Sequence, residues 1–184
     1  GVIYRGLRDN RYPMATIEQL NRLIPEDWGF RLGAYGNPSA TPWWGIWSKL
    51  HGLGRVWLSY EHEWSRVNQQ HRTISMASCE TIPQALEAAR RGWRFFLVTP
   101  LGEKQRTIDK LQAAGVRATA CPYNPKQPDG SKTEPDDLIH CAKCRLCDGK
   151  KARWDMRASI VTEIHSAPNT LHAKNERLKV LQGV

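Results

Sequence analysis

Four of the five cysteines in this chain fall inside one stretch, Cys121 to Gly149, which closes as Cys141-Ala-Lys-Cys144-Arg-Leu-Cys147-Asp-Gly149. The last three are spaced C-x2-C-x2-C, which lets consecutive thiolates turn toward one point. Together with Cys121 they supply four thiolates, enough for tetrahedral zinc or for a [4Fe-4S] cluster. A structural zinc site is usually built from two separated C-x2-C pairs, so a triplet with one distal cysteine leans toward the cubane. His140, beside Cys141, offers zinc an alternative donor, and ligand count alone does not choose between the two metals. Cys79 stands apart and reads as a small buried apolar side chain.

A second stretch rich in chemistry is Tyr60-Glu-His62-Glu-Trp64. In an extended strand Tyr60, His62 and Trp64 share one face and the two glutamates the other. His62 could act as acid–base or as a ligand, with His165 as its companion; a hydrogen-bonded histidine at a sheet edge is the plainer alternative. Arg31 and Tyr35, in Arg31-Leu-Gly-Ala-Tyr35-Gly36, complete the candidate binding residues. There is no Ser-His-Asp order, phosphate loop, HExxH or dinucleotide fingerprint, so no catalytic residue is assigned.

The elements that must position these groups read as alternating helices and strands. Thr16 with Gln19 forms a capping box, Ile17, Leu20, Leu23 and Ile24 form one apolar stripe, and Pro25 stops the helix. A strand is expected over 28–36. Thr41 and Pro42 then open a helix whose Trp43, Ile46, Trp47 and Leu50 share a face, and burial of that face is favoured over base stacking. Strands follow over 56–64 and 73–78. Thr81-Ile-Pro-Gln84 is a capping box for a helix ended by Gly92, and 93–98 is an apolar run of the kind covered on both faces. Helix 103–114, Gly115 and strand 116–120 repeat the plan and deliver Cys121, and a last strand is expected over 158–165. The order is α/β: a parallel sheet or partial (β/α) barrel, with the cysteine-rich metal-binding loop inserted before the last strand.

The 184 residues are 40% apolar, enough for one domain spanning 1–184. Within it, 1–15 is a basic N-terminal segment, 121–149 the metal lobe and 167–184 a basic helix that packs on the domain or on a partner. The formal net charge of +9 favours a polyanion, nucleic acid first, with Lys143, Arg145, Lys150, Lys151, Arg153 and Arg157 around the lobe as its contacts. No apolar run is long enough to span a membrane and no signal peptide is visible, which implies a cytoplasmic protein with reduced thiols. The chain opens at Gly1 without a methionine and reads as a piece of a longer protein, with an N-terminal segment or a protein partner missing.

Arg31-Leu-Gly-Ala-Tyr-Gly-Asn-Pro38, Tyr60-Glu-His-Glu-Trp64, Gly92-Trp-Arg-Phe95, Cys121-Pro122, the cysteine triplet with Asp148-Gly149, and Ile164-His165 together resemble an uncharacterised family of bacteriophage and prophage proteins. The resemblance covers roughly residues 28–166. Members of that family carry a further N-terminal section with its own cysteines and have no assigned activity. The family is distantly similar to phage radical S-adenosylmethionine proteins, which are partial (β/α) barrels; their C-x3-C-x2-C hallmark is absent here. Two functions follow as expectations. One is a metal-binding phage accessory protein, holding iron–sulfur or zinc and acting on or binding nucleic acid. The alternative is an iron–sulfur enzyme with its pocket at the strand C-terminal ends.

Overall fold

Six strands form one sheet in the order β1-β2-β3-β4-β6-β5, and every neighbouring pair runs parallel. The strands are β1 Phe30–Leu32, β2 Val56–Glu61, β3 Met76–Cys79, β4 Phe95–Thr99, β5 Ala118–Ala120 and β6 Ser159–Glu163. Among the described residues the α-helices are α1 Ile17–Leu23, α2 Trp44–Gly52, α3 Ile82–Arg90, α4 Lys104–Ala113, a single turn α5 Cys141–Cys144, and α6 Pro168–Gln182. This computed structural model describes residues 9, 11, 16–25, 28–33, 36–40, 43–123, 139–150, 155–164 and 168–183. The expected α/β architecture is the one observed. The chain passes over one place in the sheet to make β5 at the edge, then returns to lay β6 between β4 and β5. The cysteine lobe is that return.

Local signals explain most boundaries. Thr16 and Gln19 exchange both bonds of a capping box, at 3.2 and 2.8 Å. Thr81 accepts the Gln84 N–H at 3.3 Å, but the Gln84 side chain reaches one residue further back, to the Glu80 N–H at 2.8 Å. Gly92 and Gly115, with φ of 80° and 76°, end α3 and α4 in the left-handed conformation glycine tolerates best. The cap expected at Thr41 and Pro42 lies outside the described residues. The described helix begins at Trp44, with Trp43 in the cap position and no side-chain cap.

All six strands are shorter than the sequence suggests, and for three of them the reason is identifiable. Gly33 takes φ 74° and ends β1. At the end of β2 the Glu61 carboxylate accepts the Glu63 N–H at 3.1 Å, folding the chain into a turn where the pattern had continued as strand. Before β3, the Asn68 side chain caps Gln70 N–H at 3.0 Å and starts a 3-10 turn over Gln69–Thr73.

The two faces of the sheet have different covers. On one, Ala77, Phe95, Leu97 and Val161 pack against Ala85 and Ala88 of α3 and Ile108 and Leu111 of α4. Beside β1 and β2, Leu32 and Val56 pack with Leu50 of α2 and with Ile17 and Leu20 of α1, while Leu23 of the expected stripe is exposed; the tryptophan-bearing helix is partly buried, as expected. On the other face Met76 and Ile160 meet Leu58, Tyr60 and Phe96, and the cover there is the cysteine lobe itself. Helix α6 packs back on the domain. Its Asn175 accepts the Leu101 N–H at 2.8 Å, and Gln182 donates to the carbonyls of Glu80 and Val98 at 2.7 and 2.8 Å.

Candidate metal centre

Each candidate ligand is placed by a different local device. Cys121 leaves β5 beside β6, its N–H donating to Val161 O at 2.8 Å. Cys141 and Cys144 share one helical turn, in which His140 O accepts the N–H groups of Lys143 and Cys144 at 2.9 and 3.0 Å. Arg145 then takes φ 52°, the left-handed C-cap that turns the chain back, and its guanidinium lies 4.0 Å over the Trp57 ring. Cys147 returns to the sheet. It bridges Leu58 in parallel, and its carbonyl accepts the Ser59 N–H at 3.0 Å, filling the place beside β2 below the start of β3.

What pins that return is a buried charge network. Asp148 is 5% exposed, and Arg94, at 3%, lies 3.8 Å from its carboxylate. Arg157 Nη1 donates to the same Asp148 oxygen while Nε and Nη2 grip Asp155. Arg94 also donates to Gly149 O at 3.0 Å and to Ala158 O at 2.7 Å. Burial, then the facing Arg157 cation, push the Arg94 guanidinium down, against the pull of Asp155 and Asp148. Gly149 has φ 72°, and a Cβ there would sit 2.6 Å from Ser75 N and 2.7 Å from Ile74 C. Only glycine fits.

These devices set all four cysteines around one cavity of about 780 Å³. Its floor is the sheet face carrying Leu58, Tyr60, Phe96, Val98, Ile160 and Thr162, and its roof is the lobe with His140 and Arg145. Tyr60 and Phe96 touch, ring centroids 4.7 Å apart. Burial pushes the Cys147 thiol up to about 12, opposed by a hydrogen bond with the Tyr60 hydroxyl. Burial likewise raises Tyr60, with Cys147 next, and raises Cys121 and Cys141. Free of a ligand, these thiols hold their protons more tightly than an exposed cysteine does, and a cation binding there would have to displace them, because only the thiolate ligates. Among the described residues no three His, Cys, Asp or Glu side chains converge closely enough to hold one ion. A single zinc, with Zn–S bonds of about 2.3 Å, needs all four sulfurs drawn to one centre. A four-iron cluster takes each thiolate at a separate corner, so either group would draw on the same four cysteines.

Of the other residues singled out in the sequence, Arg31, Tyr60 and His62 line this same cavity. Trp64 does not. Because β2 ends at Glu61, the following turn carries Trp64 into the helix-covered core, 6% exposed, with the Arg91 guanidinium 5.9 Å over its ring. Tyr35 and His165 lie outside the described residues. Cys79 is 1% exposed on the helix-covered side and has no part in the cavity. The cations expected for nucleic acid divide. Arg157 is engaged with Asp148 and Asp155, Arg145 covers Trp57, and Lys151 and Arg153 lie outside the described residues. Sequence reasoning missed Asp148, Arg94, Phe96 and Thr162; the one available signal was the Cys-Asp-Gly tripeptide, since a glycine directly after an acid often marks a tight backbone turn. Compared with family models, curated proteins and solved structures, the chain has no match.

Proposed function

We propose that Cys121, Cys141, Cys144 and Cys147 hold a [4Fe-4S] cluster in a phage-type accessory protein. The observation that carries this reading is the placement of all four thiols along the lining of one cavity. Such a cluster supplies one-electron transfer when bound. The chain's own residues support it in four ways. The Tyr60 hydroxyl can donate to the Cys147 sulfur and so tune it. Arg31 and Arg145 at the wall offset thiolate charge. Phe96 and Ile160 exclude water from the floor. His62 stands exposed at the rim, where a proton donor or acceptor can meet a ligand. A volume of about 780 Å³ lies within the usual range of about 300–1,000 Å³ for ligand sites, so the cavity has room for a small molecule beside the metal.

Iron, acid-labile sulfide and zinc measured on anaerobically purified protein test the proposal. Visible absorption with near-equal iron and sulfide, lost when Cys141 and Cys144 become serine, is the expected result. A colourless protein with stoichiometric zinc would sink it. A second reading, binding of nucleic acid, draws on the net charge of +9 and on the exposed Lys143 at the outer side of the lobe.

A further inference from the structure

We propose that a second cavity, at the N-terminal edge of the sheet, is a phosphate-binding site. It lies where α3 and α4 end and where β4, β5 and β6 begin, and its volume is about 590 Å³. Arg90, Arg94, Arg117, Lys150 and Arg157 line it, and Asp155 is the one carboxylate among the described lining residues. This site deepens the nucleic-acid reading and is independent of the metal.

The charges do not cancel. Glu87 takes Arg90, and Asp148 and Asp155 are shared between Arg94 and Arg157. That leaves two cations with donors to spare. Arg117 uses one N–H, on Met156 O at 3.4 Å, out of the five its guanidinium offers. Lys150 is half-buried, and its ammonium pairs with no carboxylate among the described residues. The carbonyl ends of α3 and α4 contribute about half a negative charge each, which is less than these two side chains carry. Lys150 is held in place by its own backbone, whose N–H donates to Arg72 O at 2.7 Å. A tetrahedral oxyanion bridging Arg117 and Lys150 would satisfy donors that no described residue is seen to use, with Arg157 also lining the cavity.

The ligand chemistry is a phosphate, supplied either by a nucleic-acid backbone or by a small free phosphate, and binding assays separate the two. A fluorescent single-stranded oligonucleotide is titrated at several salt concentrations, with inorganic phosphate tested as ligand and competitor, against wild type, Arg117→Gln with Lys150→Gln, and a control pair, Arg22→Gln with Lys49→Gln. Both pairs remove the same charge, and the control residues are exposed on α1 and α2. The site predicts oligonucleotide binding about tenfold weaker in the first pair, a salt slope reduced by about 0.7 for each lost contact, and a much smaller change in the control. Binding of inorganic phosphate alone, lost in the first pair, keeps the site and removes the nucleic-acid reading. Equal loss in both pairs, or no loss in the first, overturns the site. Absence of binding to either probe overturns both. Thermal melts of the two variants exclude unfolding as the cause.

Discussion

Burial decides the behaviour of single side chains here more than charge does. Cys79 is the clearest case. It faces Ala77, Phe95 and α3, and burial lifts its thiol from 9 to about 12. The folded state therefore keeps the proton where the unfolded chain would release it. The stability this gives is complete below pH 9 and is lost as pH rises from about 9 to 12, at up to about 1.4 kcal/mol per pH unit. Cys79→Ala should thus flatten the fall of the urea midpoint between neutral and alkaline pH relative to wild type. A parallel fall in both proteins would mean that Cys79 ionises without cost in the core. The Cys147 thiol, raised by burial to the same level, contributes a similar slope only while it is free, since a ligating sulfur has already given up its proton.

At the scale of elements, the lobe depends on the segment from Cys147 to Lys150, which is stitched into the sheet as if it were a short extra strand. Asp148 is its anchor: one carboxylate faces two guanidiniums, and its backbone carbonyl lies 3.2 Å from His51 Nε2. Asp148→Asn keeps the shape and removes the charge, leaving the buried Arg94 with its carbonyl partners and the field of Asp155. The expected cost is about 3 kcal/mol, read from denaturation midpoints, together with reduced metal content. A midpoint shift under about 0.5 kcal/mol would show that the carbonyls of Gly149 and Ala158 suffice for Arg94. How far this could be read from sequence follows the range of the interactions involved. Capping by Thr16 and Thr81, stopping by Gly92 and Gly115, and the cysteine spacing from Cys141 to Cys147 are written in neighbouring residues, so all are legible. The turn after Glu61, which sends Trp64 to the opposite face, depends on a carboxylate that also takes the Ser39 N–H at 3.1 Å. The pairing of Cys147 with β2 joins residues far apart in the chain. Strand periodicity carries neither fact, so the pattern from Tyr60 to Trp64 placed three side chains on one face where the structure keeps two at the cavity.

Over the whole molecule, the sheet separates two stores of stability that share few side chains. The helix-covered side is aliphatic and aromatic throughout: Ala77, Phe95, Leu97 and Val161 close against α3 and α4 without help from the lobe. The cavity side is closed by Cys147 and Leu146 over Met76 and Ile160, and by hydrogen bonds within 140–150, to β2 and the turn before β3, and from Arg94 and Arg157. Removing a cysteine-bound metal should therefore loosen one side and spare the other. On chelation of anaerobically prepared protein, amide exchange over 139–150 is expected to accelerate by up to about a thousandfold, the scale set by a ligand present at a thousand times its dissociation constant. Amides of β3, β4, α3 and α4 should keep their protection. Uniform acceleration would show that lobe and sheet unfold as one unit, and unchanged exchange at 139–150 would show that the metal is not held by these cysteines. The asymmetry follows from the covers: helices hold one face of the sheet, and the other face carries the cysteine lobe.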